Sequence, residues 1–181
     1  MNNFRLSLPK LKAIILYFAN NTDTKYLGKV KLMKLFYFLD FMHVKKYGSP
    51  VTYDTYVNLD RGPIPSFIKN IVDSSADEPQ KSSLSDIIKF ETPSGTIMKR
   101  VLPKRDFTEQ DAGLFTQTEL EVLKEVTRLY SNKNTDYVEK KSHDEAPWKE
   151  TKYLDEIPYV LATLDEDCDV GADEIELLLS L

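Results

Sequence analysis

A single cysteine, Cys168, among 181 residues rules out an intramolecular disulfide and any paired-cysteine zinc site. That usage fits a reducing compartment. Glycine is scarce too: the six present form neither a GxGxxG pattern nor a P-loop, so no phosphate-cradling loop is expected. No run of about 18 apolar residues occurs, and a membrane span is not expected. The start, Met1-Asn2-Asn3-Phe4-Arg5-Leu6, lacks the apolar stretch and small-residue cleavage site of a signal peptide, so the expected location is the cytoplasm. Histidine is limited to His43 and His143, which narrows the choice of a general base near neutral pH to two residues.

What is present suits one globular domain. The chain is 41% hydrophobic and 29% charged, far from the profile of disorder, and its length suits one core. Charge is unevenly spread. Residues 1–50 carry +7 and the remaining 131 carry −12, for a total of −5. Asp165, Glu166, Asp167, Asp169, Asp173, Glu174 and Glu176 meet no Lys or Arg in the last 17 residues. Such a gradient can steer partners of either sign, or simply describe a solvated surface with one acidic end.

Apolar spacing predicts a helix over Pro9–Asn20 through Leu11, Ile14, Ile15 and Phe18, and a second over Lys29–Tyr47 that stops at Gly48. Apolar residues cover nearly every side of the second, which places it at the centre of the fold. Alternation from Val51 to Leu59 predicts a strand, and Arg61-Gly62-Pro63-Ile64-Pro65 is expected to break regular structure before a helix over Ser66–Val72. Asp73–Ser83 reads as an exposed loop. Ile87–Glu91 and Thr96–Leu102 form a hairpin across Thr92-Pro93-Ser94-Gly95. Thr116 with Glu119 is a capping box for a helix over residues 117–130, with Phe115 stapled onto Leu120. Asp136 with Glu139 offers a second box, for a helix ending near His143; a short helix opens at Ile157-Pro158-Tyr159, and Asp173–Leu181 forms an amphipathic tail. The expected fold is α+β and predominantly helical: a central buried helix with a small, mostly antiparallel sheet. Residues 1–164 form the domain, and the acidic helix of residues 165–181 packs on it.

Few residues carry candidate chemistry. His43 follows Asp40 by three positions on one helix face, giving a polar pair that lacks a nucleophile elbow or suitably flanked cysteine. His143 sits in Ser142-His143-Asp144-Glu145-Ala146-Pro147-Trp148. Its acids do not match HExxH spacing, and the expected role is structural: Ser142 and His143 on free carbonyls at a helix end, Trp148 wedged into the core. Lys10, Lys12, Lys25, Lys29, Lys31 and Lys34 offer a candidate phosphate-binding face, against which stand the acidic pI and the habit of lysines to cover apolar surface. In the tail, Ile175, Leu178 and Leu179 join an apolar stripe to the acids, either as a partner contact or as a helix docked on its own core.

Three blocks in order carry a resemblance. Lys31-Leu32-Met33-Lys34-Leu35-Phe36-Tyr37-Phe38-Leu39-Asp40, continuing through His43 to Tyr47-Gly48, resembles the signature helix of the Panacea family, the SocA-like antitoxin domain also met in phage-associated GepA proteins. Asp54-Thr55-Tyr56-Val57 with Gly62-Pro63-Ile64-Pro65, and Ser142-His143 with Pro147-Trp148, are similar to the family's strand, Gly-Pro turn and Ser-His…Trp block. Leu39 and Arg61 depart from the small residue and the histidine common there. The resemblance implies a non-enzymatic antitoxin without a cofactor, active in phage defence. Its partner would be a toxin encoded nearby, neutralised by direct contact, with a ClpXP-type protease as a further partner if it acts as an adaptor. Nucleic acid is disfavoured as a partner; the alternative reading is a nucleic-acid-binding transcriptional regulator working through the basic first two helices. Relatives often carry a helix-turn-helix ahead of the domain whereas this sequence opens on the domain, so an autorepressor role is not expected. The signature residues are expected to hold the fold together while variable surfaces choose the partner.

Overall fold

The computed structural model describes residues 6–181, so most of the hexapeptide read above as unlike a leader lies outside it. The fold is α+β and predominantly helical, with two small antiparallel sheets of two strands each. Helix α1 (Leu8–Asn21) starts where the Ser7 hydroxyl accepts from Lys10 N and buries Leu11, Ile14, Ile15 and Phe18, the predicted stripe. Helix α2 (Lys29–Tyr47) has the predicted bounds. It ends because Gly48, at φ 78°, takes the left-handed conformation that lets its N–H reach Val44 O. Among its buried residues are Lys31, Lys34, Asp40, His43 and Lys45, so this central helix carries charge into the core.

The long strand predicted over residues 51–59 is cut to β1 (Tyr56–Leu59). The cause is Asp40. Its Oδ1 accepts from Val51 N (2.8 Å) and Thr52 N (2.7 Å), and its Oδ2 accepts from the Thr52 hydroxyl and from Tyr56 Oη (2.7 Å). Backbone donors bound to a carboxylate on α2 cannot join a ladder, and Tyr53 turns left-handed at φ 57°. The Gly-Pro tract, expected to be irregular, instead forms β2 (Gly62–Pro65), paired with β1 from Tyr56↔Pro65 to Leu59↔Gly62. Its prolines are compatible because β2 is an edge strand of a two-stranded sheet.

Helix α3 (Ser66–Asp77) runs five residues past the prediction, into the stretch read as loop. Its N-cap, Pro65, has no side-chain donor or acceptor to offer. Asp54 supplies the missing cap from across the turn, Oδ1 accepting from Phe67 N (3.1 Å) and Oδ2 from Ile68 N (2.8 Å). Strands β3 (Ile88–Glu91) and β4 (Arg100–Pro103) form the predicted hairpin with a longer connection than four residues, because pairing starts only at Glu91↔Arg100. On the outer edge of β4, Val101 N donates to Leu27 O (2.8 Å), tying this sheet to the residues that lead into α2.

After the single-turn helix α4 (Glu109–Ala112), helix α5 (Gln117–Tyr130) opens on the predicted capping box of Thr116 and Glu119. Helix α6 (Thr135–His143) does not use the Asp136–Glu139 box; Asn134, two residues earlier, caps it by accepting from Tyr137 N (2.9 Å). Helix α7 (Ala146–Lys149) follows, and residues Tyr159–Leu164, expected as α-helix, wind as a tighter 3₁₀ turn. The chain closes with α8 (Ala172–Ser180). Helices α1, α3, α5 and α6, sheet β1–β2 and the 3₁₀ turn all pack against α2. Among the described residues no helix is long and apolar enough to cross a membrane.

Asp40 therefore decides how residues 51–56 leave α2. Asp40→Ala strands two buried backbone N–H groups and the Tyr56 hydroxyl, at about 1 kcal/mol or more each. The expected loss is on the order of 3 kcal/mol, read as a lower urea midpoint at unchanged m-value.

Candidate functional site

Residues from all three sequence blocks meet at Gly62. Its φ of 89° is left-handed, and a Cβ there would lie 2.7 Å from Ser142 Oγ, 2.9 Å from Lys34 Nζ and 3.0 Å from His143 Nε2. Glycine is thus required twice, by backbone and by contact. Lys34 is fully buried and donates to Pro63 O (2.9 Å). Burial lowers its ammonium to about 7, with Glu139 pulling upward and Arg61 downward. Ser142 donates to Glu139 O (2.7 Å) as expected of a residue at a helix end. His143 does not: its Nε2 is buried without a hydrogen-bond partner, and its ring stacks on Trp148 at 3.9 Å and 18°. Trp148 is half-buried, outside the core it was expected to enter, with Nε1 aimed at Leu59 O (3.4 Å). Pro147 is buried at the start of α7 and Pro65 at the end of β2.

The predicted Asp40–His43 pair does not form, since each residue finds other partners. His43 Nδ1 lies 2.5 Å from Ser49 O, which can only accept, so Nδ1 carries the proton and Nε2 accepts from the Thr118 hydroxyl (3.1 Å). Burial keeps its pKa below the ordinary value. Tyr47 packs against the same imidazole with ring centroids 5.0 Å apart. Asp40 is pushed up to about 6 by burial, opposed by its hydrogen bonds.

A third polar group on α2 gathers residues that the sequence reading named separately and did not join. Tyr37 Oη donates to Glu145 Oε2 (2.7 Å), and Lys45 Nζ lies 3.0 Å from Glu145 Oε1, Asp165 Oδ2 and Asp167 Oδ1. Asp165 Oδ1 also accepts from Ala146 N (2.8 Å), and Asp169 N donates to Lys45 O (2.9 Å). The tail is thereby strapped to the end of α2. Ile175 is fully buried, Leu178 approaches Gly48, and Leu179 packs on the core, so the apolar stripe offered as a partner contact faces inward. Glu166, Asp173 and Glu174 remain exposed. Lys45 was legible only as a cation in a last helical turn, and Glu145 only as an acid beside His143.

The proposed basic face is largely cancelled. Lys10 pairs with Glu119, Lys12 with Asp86 and Lys29 with Asp73. Lys31 is buried, bonding Ser131 O and Lys133 O, and desolvation lowers it to about 8; Lys25 rests over the Tyr26 ring. A cleft of about 640 Å³ lies between α1, Asp86–Ile87 and residues 105–114, and neither histidine lines it. Among the described residues no group of three or more His, Cys, Asp or Glu side chains can hold a metal ion.

Two outcomes follow from this geometry. Gly62→Ala, which adds left-handed strain and a clash with three polar atoms, costs on the order of 3 kcal/mol in urea unfolding. Between about pH 7 and 10.5, the unfolded chain keeps a proton on Lys34 that the folded chain sheds. Stability therefore rises with pH across that window, and Lys34→Met flattens the rise in the urea midpoint.

No curated protein and no solved structure matches the chain. A model of the antitoxin SocA-like family, Panacea domain, matches residues 32–149. That span, from α2 to α7, contains all the motif residues that meet at Gly62, and it supports a toxin–antitoxin role in general terms. The chain belongs to the SocA-like antitoxin family that carries the Panacea domain.

Proposed function

We propose that the protein is a non-enzymatic antitoxin that binds and neutralises a toxin encoded beside it. One observation carries this reading: apart from the unpartnered Nε2 of His143, which is stacked under Trp148, the polar groups of the shared motif are spent inside the molecule. Asp40 accepts four hydrogen bonds, His43 uses both ring nitrogens, and Lys34 and Ser142 are fully buried. Groups so engaged build a scaffold, whereas a general base or nucleophile must reach a substrate. Outside the motif, Tyr153, Leu154, Leu164 and Leu177 are each more than half exposed and available to another protein. The pairing of Lys10, Lys12 and Lys29 with carboxylates argues against a phosphate-binding face, so nucleic acid is not included as a partner.

Delivery of the bound toxin to a ClpXP-type protease is a separate second step. Co-expression with the adjacent gene tests the first: the wild-type chain restores growth, and the purified proteins bind in calorimetry. Persistent toxicity with no measurable binding would overturn the antitoxin reading. Toxin half-life with and without the protease then separates an adaptor from a stoichiometric inhibitor.

A further inference from the structure

The segment immediately beyond the family match is built to present two side chains. Tyr153 is 57% and Leu154 61% exposed, and Leu154 holds φ 70°, a left-handed conformation that a branched side chain adopts only under constraint. The constraint is Asn58. Buried on β1, its side-chain amide donates to Trp148 O (3.1 Å) and Thr151 O (2.6 Å), its O accepts from Leu154 N (2.8 Å), and its N donates to Asp155 O (3.0 Å). Ile157 N continues the attachment to Tyr56 O (2.8 Å). Four hydrogen bonds from one residue thus fix the loop from Trp148 to Asp155, in a place where strain brings the core no apolar contact: Leu154 points to solvent. An order held at a backbone cost, with its apolar side chains outside, is explained by a function outside the domain.

The charges beside the pair indicate what meets it. On the C-terminal flank Asp155 and Glu156 are exposed and, among the described residues, enter no ion pair, whereas elsewhere Lys45 holds three carboxylates. A single exposed cation, Lys152, stands directly on the other flank, which leaves the acids in excess. An apolar tip with two free acids on one flank complements a pocket with a basic rim. Resting on the antitoxin reading above, we propose that Tyr153 and Leu154 are the anchor by which this chain engages its toxin, seated in an apolar pocket bordered by Arg or Lys side chains.

The adjacent-gene toxin is the probe, in calorimetry and in growth rescue, with wild type alongside every variant. Tyr153→Ala weakens binding at least tenfold with the melting temperature unchanged. Leu154→Gly, which removes the strain with the side chain, raises the melting temperature yet weakens binding at least tenfold. Asp155→Lys with Glu156→Lys slows association and removes much of its salt dependence. If wild type binds and both tip variants bind equally well, the anchor is overturned and the antitoxin reading stands; if wild type itself neither binds nor rescues, that reading fails first. A fall in the melting temperature of Leu154→Gly would show that the loop serves the fold, which also overturns the proposal.

Discussion

A buried helix cannot leave a polar group unanswered, and α2 buries five Lys, Asp and His side chains. Stranding a buried donor or acceptor costs about 1–3 kcal/mol, comparable to what a large buried side chain gains. Each such group on α2 therefore helps to dictate the path of the chain packed around it. Lys34 draws in the carbonyl of Pro63, Asp40 the backbone of Val51 and Thr52, His43 the carbonyl of Ser49, and Lys45 the acids of α7's approach and of the tail. Lys31 takes carbonyls that follow α5. The two small sheets add little to this; the order of the fold comes from a polar spine wrapped in apolar contacts such as Phe38 stacked on Tyr130 and Phe18 against Phe36.

The same constraint explains what could be read in the chain beforehand. Helices α1, α2 and α5 were legible nearly to the residue because their signals are local: a cap, a stripe, a terminal glycine. The strand over residues 51–59 was over-read because alternation reports side chains, while the backbone donors of Val51 and Thr52 are claimed by a carboxylate eleven or twelve positions earlier. The prolines of β2 masked a strand whose partner requires little of it. Asp40 and His43 share a helix face, yet they do not meet: both hold the connection after α2, at residues 51–52 and at Ser49, and His43 also meets Thr118 of α5, which no spacing rule reveals. The family resemblance placed the correct residues together in name; only the fold shows that Lys34, Gly62, Ser142 and His143 meet at one point.

The physical unit is larger than the span the family model matches. Helix α1 lies before residue 32, yet it buries Ile14, Ile15, Leu16 and Phe18 completely, and Lys10 completes an ion pair with the Glu119 that caps α5. Beyond residue 149, Ile157, Ala162 and Ile175 are buried too. Two of the tail's seven acids reach the buried Lys45 and supply its counter-charge together with Glu145. Asp165 and Asp167 serve that purpose, and Ile175 then lands beneath the strap.

That division of labour has a consequence for how such a scaffold can change partners. Side chains facing the spine are coupled through shared hydrogen bonds, so replacing one strands another, and their effects do not add. At the tip, the exposed side chains of Tyr153 and Leu154 make no hydrogen bond to the core among the described residues, and the loop's attachment to Asn58 runs through its own backbone atoms. Backbone hydrogen bonds place no demand on side-chain identity. The tip can therefore vary in sequence without disturbing the spine, provided the residue at position 58 keeps its amide and the chain can still turn left-handed at position 154. A fold organised around one saturated helix thus combines a rigid interior with a surface free to specialise.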